Sequence, residues 1–317
     1  MTGPAPGPDT PASGLAGPAP VGRILVVGDL VTDVLVVHDG PVQPGSDTAA
    51  RITVTGGGQA ANTAAWLAHA GTPVTLIAAV GADPAGRERT AELTAAGVRC
   101  AVRAHPGVPT GSIVVLASAD ERTMITDRGA AVLLAPDDVT AAVREAADAV
   151  HLHLSGYPLL DPRSRPAGLA ALAAARERGL TTSVDAASAA PLRQAGDFLD
   201  RVRGTDLLLC NADEAAVLAG PGRAEEQATA LTTAARNVVV KRGGAGAVWA
   251  GSVTSSVAGT RVPVRDPTGA GDAFAAGLLR VWCAGGTAAD ALAAGAELGA
   301  AAVTRVGARP SRSPHGS

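Results

Sequence analysis

From residue 136 onward the chain alternates between short apolar runs and longer amphipathic ones, and this rhythm limits the possible folds more than any other feature. A helix over 136–147 leads to a strand at Ala149–Leu154, and a helix over 163–178 to a strand at Leu180–Val184. A strand at Asp206–Leu209 is followed by helices at Ala212–Leu218 and 223–235, then by a strand at Asn237–Lys241. Strands separated by helices pair in parallel, and such a sheet is covered on both faces. The expectation is an α/β fold with a mostly parallel central sheet.

The first third reads differently. Arg23–Val27 is a buried strand ending in the Gly28-Asp29 turn. Strand candidates at Asp33–His38 and Ala50–Thr55 lie too close together for helical crossovers, so they should pair antiparallel. A helix runs from the following glycines to Ala70, then a strand at Pro73–Val80 and a helix at Asp83–Ala96. Val98–Arg103, Gly111–Ser118 and Arg122–Thr126 read as further short strands. These early strands do not fit the parallel sheet. They predict a small β lid, drawn from about 33–55 and 98–127, over the strand ends where such folds bind ligands.

Neither a repeat nor a linker interrupts residues 21–311, which read as one domain. Residues 1–20, rich in Pro, Gly and Ala, read as a disordered leader, and 312–317 as a tail. Hydrophobic residues make up 47% of the chain but aromatics only 2%, so the core must be built from Ala, Val and Leu. A net charge of −3 without a basic block argues against nucleic acid as partner. The apolar stretch from Gly286 to Val303 carries Asp290 and Glu297, which points to an amphipathic or buried helix and not a membrane span. Cys100, Cys210 and Cys283 are scattered and odd in number, which fits a reducing cytoplasm.

The chemistry concentrates at Asp266-Pro-Thr-Gly-Ala-Gly-Asp-Ala-Phe-Ala-Ala-Gly-Leu-Leu279. Asp266-Pro267 ends an apolar strand in this reading, and Gly269 and Gly271 permit a tight turn. A helix follows, with Phe274, Leu278 and Val281 on one face. Free N–H groups around Gly269, Ala270 and Gly271 at its positive end form an anion site, and Asp272 stands in its first turn. An anion cradle beside a carboxylate base suits phosphoryl transfer to a hydroxyl. The plainer alternative is that Asp272 caps the helix. The Walker G-x-x-x-x-G-K-[ST] loop and the protein-kinase motifs are missing, so a nucleotide would need another scaffold.

Other constellations are weaker alone. Gly57-Gly58-Gln59-Ala-Ala-Asn62 offers close backbone approach and an amide able to donate and accept. Asp33 could accept from two hydroxyls, or be a turn acid. Asn211-Ala-Asp-Glu214 has the spacing of a capping box. Lys241, the only lysine, runs into Gly243, Gly244 and Gly246. His151 and His153 share a strand face, with substrate-side or packing roles preferred to a metal.

Taken in order, Gly57-Gly58-x-x-x-Asn62, Asn211-x-x-Glu214, the Gly243–Gly246 loop and Asp266-x-x-Gly-Ala-Gly-Asp272 resemble the ribokinase-like (PfkB) carbohydrate kinases over roughly residues 21–311. The resemblance implies a three-layer ribokinase-like sandwich with a β lid. It implies an ATP-dependent kinase acting on a hydroxymethyl group of a sugar (ribose, fructose or ketodeoxygluconate-like) or of a nucleoside such as pseudouridine. Asp272 would be the base, with Gly269, Ala270 and Gly271 as anion hole. Asp33, Gly57, Gly58, Gln59 and Asn62 would hold the sugar, Gln59 standing where ribokinases often carry Lys. Asn211, Lys241, Gly243, Gly244 and Gly246 would hold ATP, with Glu214 in the water shell of Mg²⁺. The run Ala302-Val-Thr-Arg305-Val-Gly307-Ala-Arg-Pro310-Ser311 resembles a K⁺ loop. Its ligands would be the Asp266 carboxylate, the Ser311 hydroxyl and carbonyls of Thr268, Ala302, Arg305 and Gly307, while capping by Gly307 and Pro310 explains the same residues without an ion. A homodimer formed through the lid is expected. A catalytically silent sugar-binding regulator on the same scaffold is the alternative.

Overall fold

The computed structural model describes residues 22–118 and 122–310. Its strands are β1 (Arg23–Val27), β2 (Val31–His38), β3 (Ala50–Gly57), β4 (Val74–Gly81), β5 (Arg99–His105), β6 (Thr110–Ala117), β7 (Arg122–Gly129), β8 (Ala149–Ser155), β9 (Thr181–Asp185), β10 (Thr205–Asn211), β11 (Ala235–Lys241), β12 (Ala247–Ala250) and β13 (Ser255–Val257). The helices are α1 (Gln59–His69), α2 (Pro84–Ala95), α3 (Pro136–Glu145), α4 (Tyr157–Leu160), α5 (Arg165–Glu177), α6 (Ala189–Gln194), α7 (Phe198–Arg201), α8 (Ala212–Ala219), α9 (Ala224–Leu231), α10 (Ala270–Trp282) and α11 (Ala288–Val303).

Nine strands form one sheet in the order β13-β12-β11-β10-β9-β8-β1-β4-β5. Pairing is parallel from β11 to β5 and antiparallel only at the β12 and β13 edge. Both faces of the sheet are covered, so β1, β4 and β10 are almost wholly buried and largely apolar, while β8 and β9 bury polar side chains as well. In β1, Leu25 and Val27 enter one core cluster while Ile24 and Val26 enter the other. The second cluster is closed by α1, α10 and α11, which supply many alanines around Trp66, Phe274 and Trp282. Small residues bring α10 and α11 close: a Cβ at Gly277 would lie 2.3 Å from the Ala294 carbonyl.

The remaining strands form a separate sheet, β3-β2-β6-β7. The antiparallel β2–β3 pair agrees with the short spacing between them; the parallel β2–β6 pair at the centre is not signalled locally. Two expectations need correction. Residues 99–105, assigned to the lid, are the edge strand of the large sheet, paired in parallel with β4. Their predecessor α2 is the crossover helix that makes this possible. Residues 258–265 before Asp266 form no strand; Val264 is 65% exposed, so apolar character there is not core patterning.

Candidate active site

Parallel strands point their C-terminal ends to one edge, and here that edge collects polar groups from five neighbours in the sheet order. Lys241 ends β11, Asn211 ends β10, Asp185 ends β9, Ser155 ends β8, and Asp29 follows β1. All but Asn211 are joined, through Gln59, by hydrogen bonds. Lys241 Nζ donates to Asp185 Oδ2 at 2.6 Å, and Gln59 Nε2 donates to Asp185 Oδ1 at 2.9 Å. Ser155 Oγ donates to Gln59 Oε1 at 2.6 Å. Asp29 accepts from the Ala60 amide at 3.3 Å and from Arg128 Nη1 of the lid at 3.2 Å. The Arg128 guanidinium stacks 3.4 Å from the Tyr157 ring centroid.

The N-terminus of α10 meets this edge from above. Gly269 is its N-cap at φ 74°, and a Cβ there would lie 2.3 Å from the Ala308 carbonyl, so glycine is required. Asp272, half-buried in the first turn, accepts from Asn62 Nδ2 at 2.9 Å. Burial pushes its carboxyl up to about 7; Asn62 and Lys241 oppose the rise while Asp185 and Asp29 add to it. Lys241 approaches the same turn: a Cβ on Gly271 would lie 3.4 Å from Nζ. Burial favours a neutral Lys241, but Asp185 and Glu214 outweigh it and hold the ammonium charged.

The turn separates two cavities. One, of about 410 Å³, is lined by Asp33, Gly58, Gln59, Asn62, Gly269 and Asp272 together with Asn211 and Glu214. The other, of about 440 Å³, is lined by Lys241, Gly243, Gly244, Gly246, Ala270 and Gly271, with an apolar wall of Phe274, Val262, Val264 and Val303. The expected sugar residues and the expected nucleotide loop thus fall on opposite sides of one helix end. Asn211, expected on the nucleotide side, lines the other cavity.

The glycine run has a role that spacing alone does not reveal. A Cβ on Gly57 would lie 2.0 Å from Asp33 Oδ1, and one on Gly56 would lie 2.0 Å from Arg309 Nη1. Gly58, at φ +100°, leaves room for the Asp29 backbone. These glycines admit the protein's own charged side chains and backbone.

Asn211 and Glu214 form the capping box: Asn211 Oδ1 accepts from the Glu214 amide at 2.9 Å, and Glu214 accepts from the Asn211 amide at 2.8 Å. Glu214 is 3% exposed, and burial, with Asp185 next, pushes it up to about 7. Asp266 accepts from the amides of Thr268 and Gly307, each at 2.9 Å, and from the Thr268 hydroxyl, tying the α10 turn to the C-terminal run. Ala302 ends α11 buried and Arg305 follows it; Ser311 lies outside the described residues.

His151 and His153 are not at a strand edge. They are fully buried at the centre of the sheet and share Ser183 Oγ at 2.7 Å, and His151 packs edge-on against Trp282. Burial holds both neutral, at about 3 and about 4. Among the described residues no group of three or more His, Cys, Asp or Glu could hold a metal. Sequence reasoning gave no site role to Asp185, Ser155, Tyr157 or Arg309, although the stretch ending at Tyr157 and the turn starting at Asp185 stand out in it. Asp185 carried one readable signal, a strand end before a small-residue turn; Ala187 in that turn has φ 75°.

The fold and this arrangement define a class: an α/β protein of ribokinase-like architecture, with two cavities meeting at a helix N-terminus. Residues 21–315 match the model of the pfkB family carbohydrate kinases, and the chain belongs to that family. It is 33% identical over 300 residues to an ATP-dependent ribose-1-phosphate kinase of Halopiger xanaduensis, covering 90% of this chain and 94% of that one. It is 32% identical over 241 residues to a 2-dehydro-3-deoxygluconokinase of Thermoproteus tenax, covering 72% and 73%. Adenosine kinase from Sinorhizobium meliloti superposes with a TM-score of 0.82 at 24% identity, covering 91% and 96%. A Vibrio cholerae fructokinase with fructose, ADP and potassium ion bound superposes at 0.71 and 26% identity, covering 91% and 94%. The protein is an ATP-dependent kinase of sugars or sugar-containing substrates.

Proposed function

We propose that the protein moves the γ-phosphoryl group of ATP to a hydroxyl of an anionic sugar, with Asp272 taking the proton. The observation that carries this reading is the meeting of the two cavities at the α10 N-terminus, Asp272 on one side and Lys241 beside the turn. In the mechanism, Asp33, Asn62 and the Gly57–Gly58 backbone orient the acceptor. Asp272 removes the hydroxyl proton as the oxygen attacks, and its raised affinity for protons suits that task near neutral pH. The Gly269–Gly271 turn holds charge on the transferring phosphoryl, and Lys241 steadies the nucleotide phosphates against the Gly243–Gly246 loop.

Mg²⁺, when bound, would neutralise phosphate charge, and Glu214 suits its water shell because a cation there relieves a buried carboxylate crowded by Asp185. K⁺ would be held by the Asp266 carboxylate, the Ser311 hydroxyl and carbonyls of Thr268, Ala302, Arg305 and Gly307, an all-oxygen set suited to a hard cation; the amides of Thr268 and Gly307 meeting at Asp266 bring the two segments together. Arg128, which lines the cavity adjoining the acceptor cavity with Asp29 and Tyr157, supports an acceptor whose phosphate or carboxylate reaches that side, as do the names of both sequence relatives. A cytoplasmic homodimer acting on small molecules completes the reading; its cysteines are free.

The test is ADP release in MgATP with a panel of ribose 1-phosphate, 2-keto-3-deoxygluconate, ribose, fructose, adenosine and pseudouridine. The expected result is the highest kcat/KM for one of the two anionic sugars. A preference for a nucleoside overturns the substrate class, and release with none of the six overturns the kinase reading.

A further inference from the structure

The C-terminal run reaches Asp272 through one residue. Arg309 Nε donates to Asn62 Oδ1 at 3.1 Å, Nη2 donates to the Gly57 carbonyl at 2.8 Å, and Nη1 lies 3.6 Å from Glu92 Oε2. Asn62 in turn donates from Nδ2 to Asp272 Oδ2. An amide side chain has one accepting and one donating end, and half a turn exchanges them. A guanidinium decides between the two states. With the oxygen facing Arg309, the NH₂ must face Asp272; the reverse state sets oxygen against carboxylate and NH₂ against guanidinium. The chain leaves space for this reach at Gly56 and anchors the segment independently, through Trp66 Nε1 to the Ala308 carbonyl at 2.9 Å.

We propose that Arg309 is a positioning residue for phosphoryl transfer: it fixes the orientation of Asn62, and so keeps a hydrogen-bond donor on Asp272. This rests on the reading of Asp272 as base. The groups facing that carboxylate are Asp185 from β9 and Asp29 after β1, which favour its proton, and Lys241 from β11 and Asn62 from α1, which disfavour it. Arg309 joins the second set, since Asp272 and Arg309 interact directly by charge. Losing Arg309 removes one of these influences and frees Asn62 to turn, so Asp272 should hold its proton to higher pH.

The test uses the full chain as wild type, Arg309→Gln, Arg309→Lys and Trp66→Phe. Asp272 is titrated by ¹³C NMR in ligand-free protein labelled at aspartate carboxyls, with Asp272→Asn as the assignment control. The expected result is a midpoint raised by about half a pH unit or more in Arg309→Gln and by less in Arg309→Lys, which keeps the charge. Trp66→Phe loosens the same segment while leaving both side-chain hydrogen bonds of Asn62 in place; it should lower Tm and leave the midpoint unmoved. In turnover with MgATP and ribose 1-phosphate, Arg309→Gln should lose about tenfold to a hundredfold in kcat with KM for ATP unchanged. If Arg309→Gln and Trp66→Phe both lower Tm and neither moves the midpoint, Arg309 is a clamp and the proposal is wrong. The titration needs no substrate. A wild-type protein inactive across the six-acceptor panel therefore overturns the assignment of Asp272 as base, while an unmoved midpoint in an active enzyme overturns only the role of Arg309.

Discussion

Asp272 is a carboxyl group held where carboxyl groups resist ionising, and this has opposite consequences for rate and stability. A base must be ionised to work, so kcat/KM should rise as pH rises through about 7. Stability runs the other way. The folded pKa stands above the ordinary value of 3.8, so between roughly pH 4 and 7 the native state keeps a proton that the unfolded chain has released. The native state therefore loses stability as pH rises through that window. Asp272→Asn removes the titration while preserving an acceptor for Asn62. The variant should lose about 10²–10⁴-fold in turnover, yet melt above wild type at pH 8, with the gap closing towards pH 4. Calorimetry across that range checks this; equal loss of Tm at every pH would mean that Asp272 is only a helix cap. The residues of this site were unevenly legible. Asp272, Asn62 and the glycines sit in contiguous strings whose turn chemistry shows in sequence. Asp185 carries only a strand end before a small-residue turn, and Ser155 and Arg309 carry less; strand register and a long-range reach of the C-terminal run bring them in.

At the scale of elements, the first turn of α10 is the most constrained part of the site. Gly269→Ala would place a methyl against the Ala308 carbonyl at a left-handed φ, costing about 1–3 kcal/mol in strain and displacing the anion turn. Gly243→Ala is the matched control, at φ +54° with open space around it. Denaturant unfolding and turnover should show a larger loss in stability and rate for Gly269→Ala; equal losses would mean that positive φ alone matters. Asp266 ties the same turn to Gly307, so a monovalent cation held between these segments should sharpen it. Replacing K⁺ by tetramethylammonium at fixed ionic strength should lower turnover, and identical rates would remove the proposed cation site. Most elements were readable because parallel strands and amphipathic helices carry distinct apolar patterns. The misplacement of β5 has a physical cause. A half-exposed edge strand of the main sheet has the same mixed pattern as a lid strand, and only its pairing with β4 separates them.

For the whole molecule, the lid sheet has two unlike faces. One carries Val31, Asp33, Ile113 and Val115 toward the site. On the other, register places Val34 beside Val54 and Val114, and Val114 beside Ile125. Ile52, Val54 and Ile125 are 63%, 59% and 58% exposed there. A contiguous apolar patch on a small sheet marks an interaction surface, and a twofold axis lets the same patch cover itself. The proposed homodimer through the lid follows from this face. Such a dimer would couple assembly to binding, because the proposed sugar ligand Asp33 lies on β2, the strand that carries Val34. Val54→Lys combined with Ile125→Lys sets charges on the two edge strands of that face, β3 and β7, and neither residue lines either cavity. Light scattering should give a dimer for wild type and a monomer for the variant. In the monomer, KM for the sugar should rise severalfold while KM for ATP holds, since the nucleotide slot is built from β11, α10 and α11. A wild type that is monomeric at assay concentration, or a variant that stays dimeric with both KM values unchanged, would place the partner surface elsewhere.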